Sequence, residues 1–148
     1  MYRYLPLILF LVFVSFHCDN TKNSKVKYHS HKHDKVPYSE SVQVDDMLYI
    51  SGQIANVNDD YNKIVDGGIR AQVNQTMKNI QNILKKHSAT MDDIVKCTCI
   101  LADGDDWGPM SEEYVKYFTS NKPARTTFGG AQLGDGILVE IDCIAKLR

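Results

Sequence analysis

Apolar residues alternate strictly over the stretch from Ile137 to Leu147, close to the C-terminus. The residues in the apolar phase are Ile137, Val139, Ile141, Cys143, Ala145 and Leu147. Because successive side chains of a strand point to opposite faces, this period of two predicts a β-strand with one face in a core. The other face carries Leu138, Glu140, Asp142, Ile144 and Lys146. A face of this mixed character is often covered by another subunit, so the strand also favours an oligomer.

Two other stretches have the helical period. Apolar residues recur every three or four positions at Ile69, Val73, Met77, Ile80 and Leu84. They predict an amphipathic helix over residues 68–87, with its start at Asp66-Gly67-Gly68. A second helix is predicted from about Pro109, because proline is favoured in a first turn. Its apolar side would be formed by Met110, Tyr114, Val115 and Phe118.

Two strand signals precede these helices or lie between them. Residues 42–50 have the pattern of a hairpin that turns at Asp45-Asp46. Ile94–Leu101 is predicted to be a strand that has Val95, Cys97, Cys99 and Leu101 on one face. The polar stretch from Asn58 to Asn62 is expected to form a loop. Helices between strands favour an α/β (α+β) single domain, in which a mixed β-sheet carries both helices on one face.

The N-terminal residues 1–18 resemble an export signal. Arg3 precedes an apolar run of about 12 residues, which is shorter than the roughly 20 that a membrane-spanning helix requires. Cys18 stands where a lipoprotein carries its lipidated cysteine, although His17 replaces the usual small residue before it. The segment predicts a lipid-anchored or secreted protein of the cell envelope. Secretion by another signal, an uncleaved anchor and a cytoplasmic location are the alternatives.

Residues 19–35 are polar and almost free of aliphatic side chains, which predicts a flexible tether before a folded domain at 36–148. His29, His31 and His33 alternate within this segment. A loose metal-binding tract is conceivable, but a solvated linker is the favoured interpretation.

Charge and cysteine content exclude some classes of protein. The chain has 17 basic and 18 acidic residues, so it lacks the basic character of proteins that bind nucleic acid. If Cys18 takes lipid, an odd number of cysteines remains, which does not suit a complete disulfide framework. Cys97, Cys99 and Cys143 share apolar strand phases, so they are interpreted as buried small residues and not as metal ligands.

Several short stretches, in their order and spacing, resemble the reactive-intermediate-deaminase (Rid, YjgF-type) family. They are Pro37-Tyr38-Ser39, residues 48–54 (LYISGQI), residues 93–96 (DIVK), residues 123–127 (PARTT) and residues 139–145 (VEIDCIA). The resemblance covers the span from Pro37 to Leu147. It implies a chorismate-mutase-like fold, a homotrimer and active sites between adjacent subunits, with no metal and no organic cofactor.

The resemblance also implies roles for individual residues. Arg125 would bind the carboxylate of the substrate, since a guanidinium offers two parallel donors. Glu140 would position or activate a water molecule as a general base. Backbone groups next to Thr127 would meet the imine, and Tyr38 and Ser51 would line the pocket.

One position departs from the family pattern. Ser111 stands three residues before Tyr114, where relatives commonly carry asparagine, and a shorter side chain there could enlarge or rewire the substrate pocket.

The function predicted from the resemblance is the hydrolysis of 2-imino acids, such as 2-iminobutanoate and 2-iminopropanoate, to 2-keto acids and ammonia. The competing hypothesis is a non-catalytic, envelope-tethered trimer that binds a small carboxylate or a protein partner. A binder needs the arginine but not the carboxylate that serves water, so the presence of both Arg125 and Glu140 favours the enzyme.

Overall fold

The computed structural model describes residues 24–32, 36–58 and 60–148, which form eight strands and two helices. The strands are β1 (Val26–Ser30), β2 (Ser39–Val44), β3 (Met47–Gln53), β4 (Asn56–Val57), β5 (Asp60–Ile64), β6 (Ile94–Leu101), β7 (Ala124–Phe128) and β8 (Val139–Lys146). The helices are α1 (Gly68–Lys86) and α2 (Trp107–Tyr114). The predicted signal segment, with Cys18, lies outside the described residues, as does His33.

Six strands form one mixed sheet in the order β1-β2-β3-β8-β6-β7. All neighbours in it are antiparallel except β6 and β7, which are parallel. The predicted fold class, α/β (α+β) with a mixed sheet and two helices, is confirmed. The homotrimer stays a prediction.

The core lies between α1 and the face of β8 that sequence periodicity predicts. Val139, Ile141, Cys143 and Ala145 of β8 are buried there. The five predicted apolar positions of α1, from Ile69 to Leu84, are buried against them. Burial of each large aliphatic side chain contributes about 1.5–3 kcal/mol, which makes this face the main source of stability.

A buried glutamine fixes the start of β8 against α1. The Gln72 side chain donates to the Gly136 carbonyl at 2.7 Å and accepts from the Leu138 amide at 2.8 Å. The strand that carries Glu140 is therefore held in register by the helix.

Two local predictions are wrong. Residues 60–62 are not in a loop, because Val57 pairs with Asp60 and the two-stranded ribbon β4-β5 forms. On β6, Val95 is exposed and Ile94 is buried instead. The pairing of β6 with β8 shifts between Ile94 and Lys96, and this irregularity turns Val95 out of the apolar phase.

The predicted tether is wrong for Val26–Ser30, which form β1 at the edge of the sheet. Pairing with β2 satisfies the backbone groups of β1 that face this neighbour, even though the side chains of β1 bury little surface. The histidines here are not simply solvated, since the rings of His29 and His87 pack edge to face with centroids 4.4 Å apart. Within the described residues, no helix has the length and apolar character needed to cross a membrane.

The cysteine prediction is correct for burial and wrong for pairing. Cys97, Cys99 and Cys143 are all buried. Cys97 and Cys143 are register partners on β6 and β8, with Cα atoms 4.2 Å apart, and they are joined by a disulfide. The apolar phase of two adjacent strands brings the two side chains to the same face, directly opposite each other. Cys99 is a free thiol, and burial raises its pKa to about 11.

Candidate active site

The predicted site residues fall into two clefts. The first, the arginine cleft, has a volume of about 300 Å³ and is lined by Ser111, Tyr114, Val115, Lys122, Pro123 and Arg125. The second, the glutamate cleft, has a volume of about 460 Å³ and is lined by Tyr38, Ser51, Gly52 and Glu140. The structure thus brings Arg125 together with Ser111, and Glu140 together with Tyr38 and Ser51.

Arg125 lies on β7 and points toward α2. Its Nη2 donates to the Ser111 hydroxyl at 2.9 Å, and its Nη1 lies 3.9 Å from the Met110 sulfur. β7 pairs in parallel with β6, which places Arg125 beside Cys97. The short side chain of Ser111 therefore serves to orient the guanidinium, a role that the sequence did not indicate.

Two aromatic rings hold the guanidinium between them. The Arg125 Cζ atom lies 5.4 Å from the centre of the Trp107 ring and 5.1 Å from that of Tyr114. Both distances allow cation–π attraction, which limits the rotation of the side chain without neutralising its charge. Tyr114 was predicted only as part of the apolar side of α2, and Trp107 gave no sequence signal at all.

Two buried hydroxyl oxygens near Arg125 have no strong hydrogen-bond partner among the described residues. They belong to Tyr114, which lines the arginine cleft, and to Thr127, two residues farther along β7. Thr127 lies opposite Cys99 in the β6-β7 pairing, and a thiol is only a weak donor. Buried polar atoms are normally paired, so these two oxygens depart from the usual pattern.

The glutamate cleft is built on the irregular end of the β3-β8 pairing. The register shifts between Ile50 and Gln53, where Ser51 and Gly52 lie. The Ser51 hydroxyl donates to the Ser39 carbonyl at 2.7 Å, so it fixes the neighbouring strand as well as lining the cleft.

Glu140 is half-buried in this cleft, and two effects change its acidity. Burial raises the pKa of Glu140 above its usual value, and the negative charge of Asp142 raises it further. A carboxylate in this state holds a proton more tightly than an exposed one, which makes it a better general base.

Gly52 leaves the space that the Glu140 side chain occupies. A Cβ atom on Gly52 would overlap the Glu140 Oε1 and Cδ atoms. The absence of a side chain at this position therefore allows the carboxylate to rest against the backbone of β3, a contact that sequence analysis missed.

The two clefts lie on opposite faces of the sheet. Arg125 contacts α2 and so belongs to the helix face. Glu140 stands between the fully buried Val139 and Ile141, so its side chain points to the other face. The clefts share no lining residue. Arg125 and Glu140 therefore do not line a common cleft within one copy of the chain.

Comparisons with known proteins agree in sequence and in structure. The sequence model of the family described as Endoribonuclease L-PSP matches residues 30–147. The 2-iminobutanoate/2-iminopropanoate deaminase of Mus musculus is 40% identical over 109 residues, which are 74% of this chain and 80% of that protein. The human protein of the same name is 39% identical over 109 residues, 74% of this chain and 79% of its own length.

Crystal structures show the same relationship. Yeast Mmf1 superimposes with a TM-score of 0.76 at 31% identity, covering 84% of this chain and all of that one (100%). YyfA from Yersinia pestis, described as a member of the conserved Rid family, has a TM-score of 0.71 at 33% identity and covers 81% of this chain and 94% of its own. The chain belongs to the Rid (L-PSP, YjgF-type) family.

Proposed function

We propose that this protein hydrolyses 2-imino acids, with 2-iminobutanoate and 2-iminopropanoate as representative substrates, to 2-keto acids and ammonia. The observation that carries the proposal is the presence in one chain of an arginine oriented in one cleft and a half-buried glutamate of raised pKa in the other. The names of the mouse and human relatives support the same reaction.

Arg125 would bind the substrate carboxylate. Its guanidinium is charged at every relevant pH and offers parallel donors that match a carboxylate in two-point contact. Since Ser111 and the two rings already fix the guanidinium, little side-chain freedom is lost on binding. The imine carbon would then be presented to water in one orientation.

Glu140 would supply the base. Water adds to the carbon of the protonated imine while the Glu140 carboxylate takes one of its protons, which gives a neutral tetrahedral amino alcohol. Glu140 then returns the proton to the amino nitrogen, the C–N bond breaks, and the hydroxyl proton passes to the departing ammonia, so that the keto acid and an ammonium ion are released. The carboxylate is regenerated, so no further reactant is needed.

The site would be completed by a second copy of the chain. Arg125 and Glu140 lie on opposite faces of the sheet, so the arginine cleft of one subunit must meet the glutamate cleft of its neighbour. The sheet face away from the helices also exposes Tyr49 and Phe128, at 45% and 49% of their surface, which suits a subunit interface. The family resemblance implies that the assembly is a homotrimer.

The test uses imine generated in solution by an amino-acid oxidase. We expect the purified protein to accelerate the decay of 2-iminobutanoate, measured by the loss of semicarbazide-trappable imine. A folded oligomer that binds 2-oxobutanoate but leaves the decay rate unchanged would instead support the carboxylate-binding module. An RNA substrate is not proposed, because the chain carries a net charge of −1.

The acid limb of the pH–rate profile should depend on Asp142. Activity requires the Glu140 carboxylate, so it falls as the pH drops through the raised pKa of that group. Asp142→Asn removes a negative charge that raises this pKa, and the limb should therefore move to lower pH. Asp46→Asn is the control, since Asp46 pairs with Lys146 at the far end of β8. An unmoved limb in Asp142→Asn would contradict the assignment of Glu140 as the base.

Substitution of Gly52 should displace the base without unfolding the protein. In Gly52→Ala the new methyl group overlaps the Glu140 carboxylate, which must turn away. We expect kcat to fall roughly tenfold to a hundredfold, as for other small misplacements of a reacting group. Gly104→Ala is the matched control, because a Cβ there meets no atom within 4 Å. Equal kcat in the two variants would argue against a precise position for Glu140.

A further inference from the structure

His31 follows β1 and contacts a residue outside the glutamate cleft. Its Nε2 lies 2.8 Å from the Tyr61 hydroxyl on β5. The Tyr38 hydroxyl in turn donates to Tyr61 at 3.4 Å. The three side chains form a connected series, His31–Tyr61–Tyr38, that comes from three separate segments of the chain.

The rings of this series also pack against one another. The His31 ring centre lies 5.6 Å from that of Tyr61 and 6.2 Å from that of Tyr38, the latter pair edge to face. His31 and Tyr61 line a separate polar cavity of about 110 Å³, together with Glu40 and Lys86. Tyr38 lines the glutamate cleft. Among the contacts of the described residues, Tyr38 connects His31 and Tyr61 to the candidate site.

Tyr38 needs such support because its own burial does not fix it. Its side chain is 46% exposed, and it lies in the irregular segment before β2. An exposed ring in an irregular segment keeps rotational freedom unless a partner restricts it. The contacts with His31 and Tyr61 provide that restriction.

We infer that His31 and Tyr61 are positioning residues that hold the Tyr38 hydroxyl toward the substrate, with its lone pairs free to accept a hydrogen bond from the imine nitrogen. Tyr38 gives its proton to Tyr61, so in this arrangement it can face the cleft only as an acceptor. The Tyr61 hydroxyl lies 2.8 Å from the His31 Nε2, which accepts its proton in the tautomer that carries hydrogen on Nδ1. A protonated imine offers N–H groups, which is the complement of an acceptor. The inference rests on the proposed function.

The test compares the kinetics of His31→Ala and Tyr61→Phe with those of the wild type. We expect KM for 2-iminobutanoate to rise about threefold to tenfold, the range for one lost hydrogen bond, with kcat changed less. The double variant should be no worse than either single one, because both residues act through the same hydroxyl. His31→Gln keeps an acceptor and should recover much of the loss. His29→Ala, on β1 two residues before His31 and packed on His87, is the control and should leave KM unchanged.

A spectroscopic measurement separates this inference from the proposed function. With ¹³Cζ-labelled tyrosine, the Tyr38 resonance, assigned with Tyr38→Phe, should shift in His31→Ala and not in His29→Ala. If the wild type hydrolyses imines but His31→Ala changes neither KM nor the Tyr38 resonance, the inference is overturned and the proposed function stands. If no imine is hydrolysed, the function fails. The inference then requires that His31→Ala both moves the Tyr38 resonance and weakens the binding of 2-aminobutanoate, whose ammonium group offers N–H donors, and it is overturned without these effects.

Discussion

Arg125→Ala is expected to lower kcat/KM for 2-iminobutanoate by about a hundredfold to a thousandfold, because two charge-assisted hydrogen bonds to the carboxylate are lost together. Most of the loss should appear in substrate binding, and it can be measured as weaker binding of 2-oxobutanoate as well as slower turnover. Arg125→Lys keeps the charge but loses the planar fork and the bond to Ser111, so it should recover only a small part of the activity.

The matched control is Arg70→Ala. Arg70 pairs with Glu112 at 2.6 Å on the surface where α1 meets α2, away from the lining of either cleft. An exposed ion pair contributes little to stability, so this variant should fold and retain full activity. If Arg125→Ala kept the kcat/KM of the wild type, Arg125 would have no role in the proposed site.

Glu140→Gln is expected to lower kcat by about a hundredfold to ten-thousandfold, which is the range for loss of a general base, while KM changes little. The amide keeps the shape of the side chain but cannot take a proton from water. The residual rate should also lose the acid limb of its pH profile.

The variant should remain folded. A carboxyl group whose pKa is raised in the folded state stabilises the fold below that pKa and ceases to do so as the pH rises through it. Removing the charge therefore costs no stability at neutral pH, and a thermal melt can check this. Glu112→Gln, on the exposed side of α2, serves as the control for a lost carboxylate. A Glu140→Gln variant with normal kcat would contradict the proposed mechanism.

The two inactive variants can be combined to test the shared site. The Arg125→Ala and Glu140→Gln subunits would be dissociated, mixed and reassembled. An interface then has both residues intact when Arg125 comes from a Glu140→Gln subunit and Glu140 comes from an Arg125→Ala subunit. Random mixing in a cyclic oligomer gives such an arrangement at about a quarter of the interfaces. Recovery of activity toward this level is the expected result. Mixed oligomers without any recovery would place both residues in one subunit's site.

The sequence predicted the parts of the fold in which burial sets a regular period. β8 and α1 each bury one face completely, so their apolar positions are visible in the sequence. β1 and β7 bury little, and their residues show no comparable period. They form because a neighbouring strand offers unpaired backbone groups, which is a property of the assembled sheet and not of the local sequence.

The same distinction applies to the candidate site. The period of β8 placed Glu140 on the mixed face, and that placement is correct. The contact between Arg125 and Ser111 could not be predicted, because it depends on β7 lying beside β6 and beneath α2. Trp107 is 53% exposed and follows a polar turn, so nothing in its sequence context suggests that it packs on an arginine.

The placement of the two clefts on opposite faces of the sheet has a consequence for how activity depends on protein concentration. In the proposed assembly the unit of catalysis is the contact between copies, and an isolated chain would contain only halves of two different sites. By mass action, dilution below the dissociation constant of the assembly is then expected to remove activity. Turnover per chain would thus report the fraction of chains assembled, and the amount of protein in its compartment would itself regulate the rate.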